Sequence, residues 1–190
     1  MWAFSDESER AAVMFVAVAV VSPADIDKGR VSLREPLLAG QRRVRTAKES
    51  PRRRRVVLDA VACIDGLSVT VLRYRRHAGV DHVTGRRILL EAATALIVRQ
   101  RVTAWTLDDM PPSQRARDRN TIGHALARTS AGHVTFDHRR SHTEPMLWAA
   151  DAVCWAVGAG GDWRRRVEGV LTVIEVDPRR ATPGYSPSGE

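Results

Sequence analysis

Cysteine is nearly absent from this 190-residue chain: only Cys63 and Cys154 occur, and neither sits in a CxxC pattern. A structural zinc site and a disulfide-stapled miniature fold are therefore not expected. Both cysteines lie in apolar, helix-patterned runs, which reads as two buried free thiols in a reducing, cytoplasmic setting. No Gly-rich phosphate loop is present, so nucleotide hydrolysis is not indicated. The longest early apolar run, Ala11 to Val21, is too short to cross a bilayer as a helix. Asp6, Glu7 and Glu9 precede it, where an export signal would carry positive charge. No membrane anchor and no internal repeat are expected.

What the chain does have is size, a core and basic charge. At 190 residues and 44% hydrophobic content it is long enough for one globular domain, expected over residues 1–177, with residues 178–190 a disordered tail. The net charge is +8, and all but two of the 30 basic residues are arginine; Lys28 and Lys48 are the exceptions. A polyanionic partner, nucleic acid first, fits this balance. A GC-rich coding genome produces the same arginine skew, and a solvated basic surface is the plain alternative. Four basic runs stand out: QRRVR, PRRRR, RYRR and WRRR. In the second, Arg52, Arg53, Arg54 and Arg55 fall in the first turn of an expected helix. Positive charge there opposes the helix dipole, which hints at an anion nearby.

The patterning predicts alternating elements. Trp2–Phe4 and Ala11–Val21 read as strands around a polar turn, SDESER, and 23–40 as an irregular connection. A short strand is expected at Arg43–Ala47. A helix follows, capped by Ser50 with Pro51 in its first turn and running to Asp65. Leu67–Arg75 alternates like a strand, and Gly85–Arg101 carries apolar residues at helical spacing. Then come a strand over Val102–Leu107, a polar helix over Pro112–Arg128, a strand at His133–Phe136 and an apolar helix over Glu144–Val157. Asp162–Val170 reads as a short basic helix and Leu171–Val176 as a last strand. This order implies an α/β fold with a mixed sheet and helices on both faces.

Three aspartates carry the chemistry. Asp151 is the only charge between Pro145 and Gly161, and ionised carboxylates are rarely buried without a partner. On a helix it shares a face with Leu147, Trp155 and Glu144. Asp6 stands at the expected end of the first strand, with Glu7 beside it. Asp108 follows the strand VTAWTL, with Asp109 next. Singly, Asp6 and Asp108 read equally well as turn or cap residues. Together the three can converge on one part of a sheet, where mutual repulsion calls for a cation. Mg²⁺ or Mn²⁺ suits such hard oxygen donors, and two such ions can promote phosphodiester cleavage. His133, Asp137, His138 and His142 form a second cluster, whose spacing matches no clean metal-ligand pattern; His138 or His142 is a candidate helper near Asp151.

The segments FSDESER, TAKES, TLDD and LWAAD, in that order, resemble the family called domain of unknown function 3800 over residues 1–160. That resemblance implies a ribonuclease H-like fold and a divalent-metal nuclease site. It would place Asp6, Asp108 and Asp151 as ligands, with Glu7 or Glu144 as a fourth. The chain departs from the pattern at Trp148, where glutamine is common, and lacks the usual glycine after the first turn. The leading expectation is a metal-dependent nuclease with Lys48 and Arg52–Arg55 on the nucleic-acid backbone. The alternatives are a non-catalytic nucleic-acid-binding domain and a protein-interaction domain of the same fold.

Overall fold

The computed structural model describes residues 1–129 and 133–178; most of the expected C-terminal tail, 179–190, lies outside the described residues. Strand β1 (Trp2–Arg10) and strand β2 (Val13–Val21) form a hairpin in continuous register from Trp2↔Val21 to Arg10↔Val13. The segment SDESER is thus strand, not turn, and Asp6 stands in mid-strand opposite Ala17. Its polar residues stay in strand because pairing with β2 continues along the whole segment. The turn is only Ala11 and Ala12, and Ala11 takes φ +51° to close it. A non-glycine residue is strained there by about 1 kcal/mol. Ala11→Gly is expected to stabilise the protein by about 0.5–1 kcal/mol, read as a higher urea midpoint with unchanged slope.

The connection after β2 contains a helix that the sequence reading missed, α1 (Ile26–Arg34), which buries Ile26, Gly29 and Leu33. Gly29 lets the helix approach closely: a Cβ there would stand 3.1 Å from Met146 Sδ. The strand expected at Arg43–Ala47 is instead extended chain leading into a 3-10 turn at Thr46–Lys48. Helix α2 (Pro51–Ala62) starts as expected, with Ser50 Oγ accepting from the Arg53 N–H at 3.4 Å. It ends sooner, and Cys63 just beyond it is exposed, while Cys154 is buried. Next come β3 (Ser68–Arg75) and α3 (His82–Arg99), capped by Asp81 through the Thr84 N–H at 2.8 Å. Strand β4 (Ala104–Asp108) and helix α4 (Pro112–Ala127) follow. The chain then forms β5 (Thr135–Arg139), α5 (Met146–Ala159), α6 (Gly161–Arg165) and β6 (Leu171–Glu175). The basic helix expected over 162–170 is thus one short helix, and a separate 3-10 turn spans Glu168–Val170.

The six strands lie in the order β5-β4-β1-β2-β3-β6. Only β2 runs against its neighbours; β1–β4, β4–β5 and β3–β6 are parallel pairs. Being central, β2 is buried along its whole length, which explains its unbroken apolar sequence. One sheet face packs on α1, α2 and α5, with Phe4, Phe15, Ala17 and Ala19 pointing that way. The other packs on α3 and α4, with Ala3, Val16, Val18 and Trp105 beneath them. Strand alternation therefore sends Asp6 toward α5 and Glu7 toward α3. Among the described residues no helix is long and apolar enough to cross a membrane.

Candidate active site

Asp6 and Asp108 meet because β1 and β4 are adjacent and parallel. Their ladder ends at Ser5↔Leu107, so residues 6 and 108 are the next neighbours. Asp151 reaches the same place from α5, the helix packed across β1 and β2 on that face. Burial pushes the Asp6 carboxyl well above the usual carboxylate range, and the charges of Asp151 and Asp108 raise it further, against Arg45 and Arg86. Burial also raises Asp151, although Thr46 opposes this: its N–H and its Oγ each donate to Asp151 Oδ2 at 2.8 Å. Asp108 is raised by burial too, while the Asp109 N–H (2.9 Å) and Ser141 N–H (3.1 Å) donate to its Oδ1. Thus β1, β4, α5 and the 3-10 turn all contribute to one acidic spot.

The donor chemistry suits a hard divalent cation. Asp6 feels the charges of Asp151 and Asp108, and Asp151 that of Asp108; each of the three carboxylates keeps one oxygen without a hydrogen bond among the described residues. A cation between them would offset the repulsion that raises Asp6. As they stand, no three His, Cys, Asp or Glu side chains among the described residues are set around one ligating point. The exposed Arg45 supplies nearby positive charge instead, lowering both Asp6 and Asp151. Beside Asp108 a cleft lined by Arg42, Arg43, Arg140, Ser141 and His142 opens to solvent.

The other candidates have different surroundings. Glu7 points to the opposite sheet face and pairs with Arg86. Glu144 is buried and held by Arg30 of α1, whose Nε and Nη2 donate to its two oxygens at 3.1 and 2.6 Å. It belongs to the α1–α5 packing rather than to the three aspartates. Of the basic run, Arg53 donates to Glu49 (2.7 Å), the Pro36 carbonyl (2.7 Å) and Gln41 (3.0 Å). Arg54 donates to the carbonyls of Thr46 (2.9 Å) and Ala47 (2.8 Å). The adverse charge in the first turn of α2 is therefore answered by the preceding loop. Lys48, Arg52 and Arg55 remain exposed. His138 is not near Asp151; it lies on β5 across the sheet, bonded to Asp118 at 3.0 Å.

That last contact belongs to a buried network the sequence reading missed. Arg86 on α3 donates through Nε (3.0 Å) and Nη2 (2.8 Å) to Asp118 on α4, while Gln114 donates to the same carboxylate at 2.9 Å. Burial alone would raise Asp118. Its bonds from His138 and Arg86, the Arg86 charge and Gln114 outweigh that and hold it far below the usual range. Helical spacing did contain the signal: Asp118 is four before Ile122 and seven before Ala125, both buried, and Arg86 is three before the buried Leu89. Thr46 and Arg45 carried no such signal, because only the loop's path brings them to Asp151.

No protein-family model matches this chain, and no curated protein matches it. Among solved structures, the RNase HII of the PCNA:RNase HII complex from Archaeoglobus fulgidus is similar in fold. The match has a TM-score of 0.51 at 18% sequence identity and covers 88% of this chain and 75% of that one. The fold is ribonuclease H-like, a mixed six-stranded sheet flanked by helices. At that identity the likeness speaks for the fold alone.

Proposed function

We propose that this protein is a divalent-metal-dependent nuclease in which Asp6, Asp108 and Asp151 hold the metal. The observation that carries this reading is the convergence of three carboxylates from β1, β4 and α5, with Asp6 raised by burial and by the other two charges. A ribonuclease H-like fold is consistent with it, as is the resemblance of FSDESER, TAKES, TLDD and LWAAD to the domain of unknown function 3800 family, although no family model matches the chain. Mg²⁺ or Mn²⁺ bound there would supply charge neutralisation and activation of water for phosphodiester hydrolysis. The chain's own residues do the rest. Thr46 fixes Asp151 through two hydrogen bonds, and the Ser141 N–H fixes Asp108. Arg42, Arg43 and Arg140 line the cleft beside Asp108 and offer a backbone phosphate its counter-charge.

One observation favours a second reading, a nucleic-acid-binding domain without cleavage. The charge of the exposed Arg45 favours ionised Asp6 and Asp151, and a nearby guanidinium offsets part of their charge without a metal's chemistry. One experiment separates the two. The full chain is incubated with labelled single-stranded DNA, RNA and RNA–DNA hybrid, with Mg²⁺, Mn²⁺ or EDTA. The nuclease reading expects cleavage with metal and none with EDTA, and a melting temperature that rises with added Mn²⁺. Binding that is salt-sensitive, with no cleavage under any metal, overturns it.

A further inference from the structure

Two tryptophans near the acidic spot are arranged with arginines in a way neither the aspartates nor the fold requires. Trp155 lies one helical turn beyond Asp151 on α5 and is half-buried. The Arg54 guanidinium lies 4.6 Å from its ring centre, and that of Arg10 lies 5.7 Å away. Trp163 on α6 meets Trp155 edge-on, with centroids 5.3 Å apart, and carries Arg55 at 5.6 Å. Gly158 makes the Arg10 placement possible, since a Cβ there would come 2.7 Å from Arg10 Nε. Three guanidinium groups from two elements, β1 and α2, are thus laid against two adjoining indoles.

We propose that Arg10, Arg54 and Arg55, held by Trp155 and Trp163, form a docking platform for the phosphate backbone of a nucleic-acid strand. Indole contact orders a flexible arginine before binding, so less side-chain entropy is lost when a phosphate arrives. The Arg10 and Arg55 guanidinium groups make no hydrogen bond or ion pair among the described residues, leaving their donors available. Beside them a hollow of about 720 Å³ is lined by Arg55, Trp163, Arg165 and Arg166. Arg165 and Arg166 are paired with Asp162 and Asp59, so the free positive charge is concentrated on Arg10 and Arg55. Arg52, three residues before Arg55 on α2, extends the same basic row.

The platform is physically continuous with the candidate active site. Arg54 Nε donates to the Thr46 carbonyl at 2.9 Å, and Thr46 in turn donates to Asp151. A strand resting on the arginines therefore extends toward the carboxylates; that direction rests on the nuclease reading, whereas binding at the platform does not.

The test is fluorescence anisotropy of a labelled 20-nucleotide single strand with the full chain across a salt series, in EDTA so that no cleavage occurs. R10A/R55A is compared with R99A/R128A, which removes the same charge from exposed positions on α3 and just after α4, across the sheet. The platform expects R10A/R55A to weaken binding by roughly tenfold and to lower the log–log salt slope by about 1.4, or about 0.7 per phosphate contact. R99A/R128A is expected to change both far less. Gly158→Ala, which displaces Arg10, is expected to weaken binding while all charges are kept. Equal losses in the two double variants would overturn the platform in favour of general surface charge. Displacement of the oligonucleotide by millimolar inorganic phosphate would overturn it in favour of a simple anion site. If these differences hold while the separate assay with Mg²⁺ or Mn²⁺ shows no cleavage, the nuclease reading alone fails and the platform stands.

Discussion

Asp151→Asn is expected to abolish Mg²⁺- or Mn²⁺-dependent cleavage, lowering the rate by about a thousandfold or more, while the protein stays folded. Losing a transition-state stabilisation of about 4 kcal/mol produces a change of that size. The substitution keeps the side chain's shape and an oxygen to accept from the Thr46 N–H and Oγ. It removes a negative charge whose ionisation burial already opposes, so the metal-free protein is expected to melt at or slightly above the wild-type temperature. Asp6→Asn is expected to behave alike, since Asp6 carries both burial and the repulsion of Asp151 and Asp108. Single-turnover cleavage and thermal melting of the same samples check both points. A pure Asp151→Asn sample that cuts at the wild-type rate would remove this residue from the site.

On the other sheet face, Arg86→Met is expected to destabilise the protein by about 3–5 kcal/mol, lowering its melting temperature by roughly 10 °C. Arg86 is the cation between Glu7 and Asp118, and only 4% of it is exposed. Methionine fills similar space but leaves Glu7 without its ion-pair partner and Asp118 with only His138 and Gln114. The pH dependence follows from Asp118. Its pKa is lowered in the folded state, so its stabilisation is complete above the ordinary carboxylate value of about 3.9 and is lost as pH falls through the folded value. Asp6 and Asp151 are raised, so acid favours the folded state at those two positions. Asp118→Asn is therefore expected to flatten the loss of stability between pH 4 and pH 2 (about one ordinary carboxylate's titration range). Urea titrations across that range measure it. A wild-type Arg86→Met melting temperature would mean that the network contributes nothing net.

Much of the layer order was legible because periodicity reports burial. The strand pattern of LSVTVLRYR and the helical spacing over 85–101 match β3 and α3: α3 turns one face to the core, and β3 is buried on both, with Val69 and Val71 on one side and Leu72 and Tyr74 on the other. The polar stretch SDESER misled because its composition resembles a turn, whereas pairing with the whole of β2 holds it as strand. Helix α1 was hidden by Pro23, Gly29 and Gly40, yet Gly29 is there for contact with Met146 rather than to break the helix. Cys63 followed an apolar run but sits past the last turn of α2, which turns it outward.

By itself the sequence determined β2, β3, α3 and the apolar helix α5 in outline, a strongly basic charge balance, and the oddness of a lone acid at Asp151 within that helix. Those features depend on neighbours a few residues away, where spacing alone decides the face. Only the tertiary structure decided which charges meet: Asp6 with Asp108 and Asp151, Arg86 with Glu7 and Asp118, Glu144 with Arg30. Partners 32 to 145 residues apart in the chain are selected by strand order and helix packing, and no local pattern records that choice.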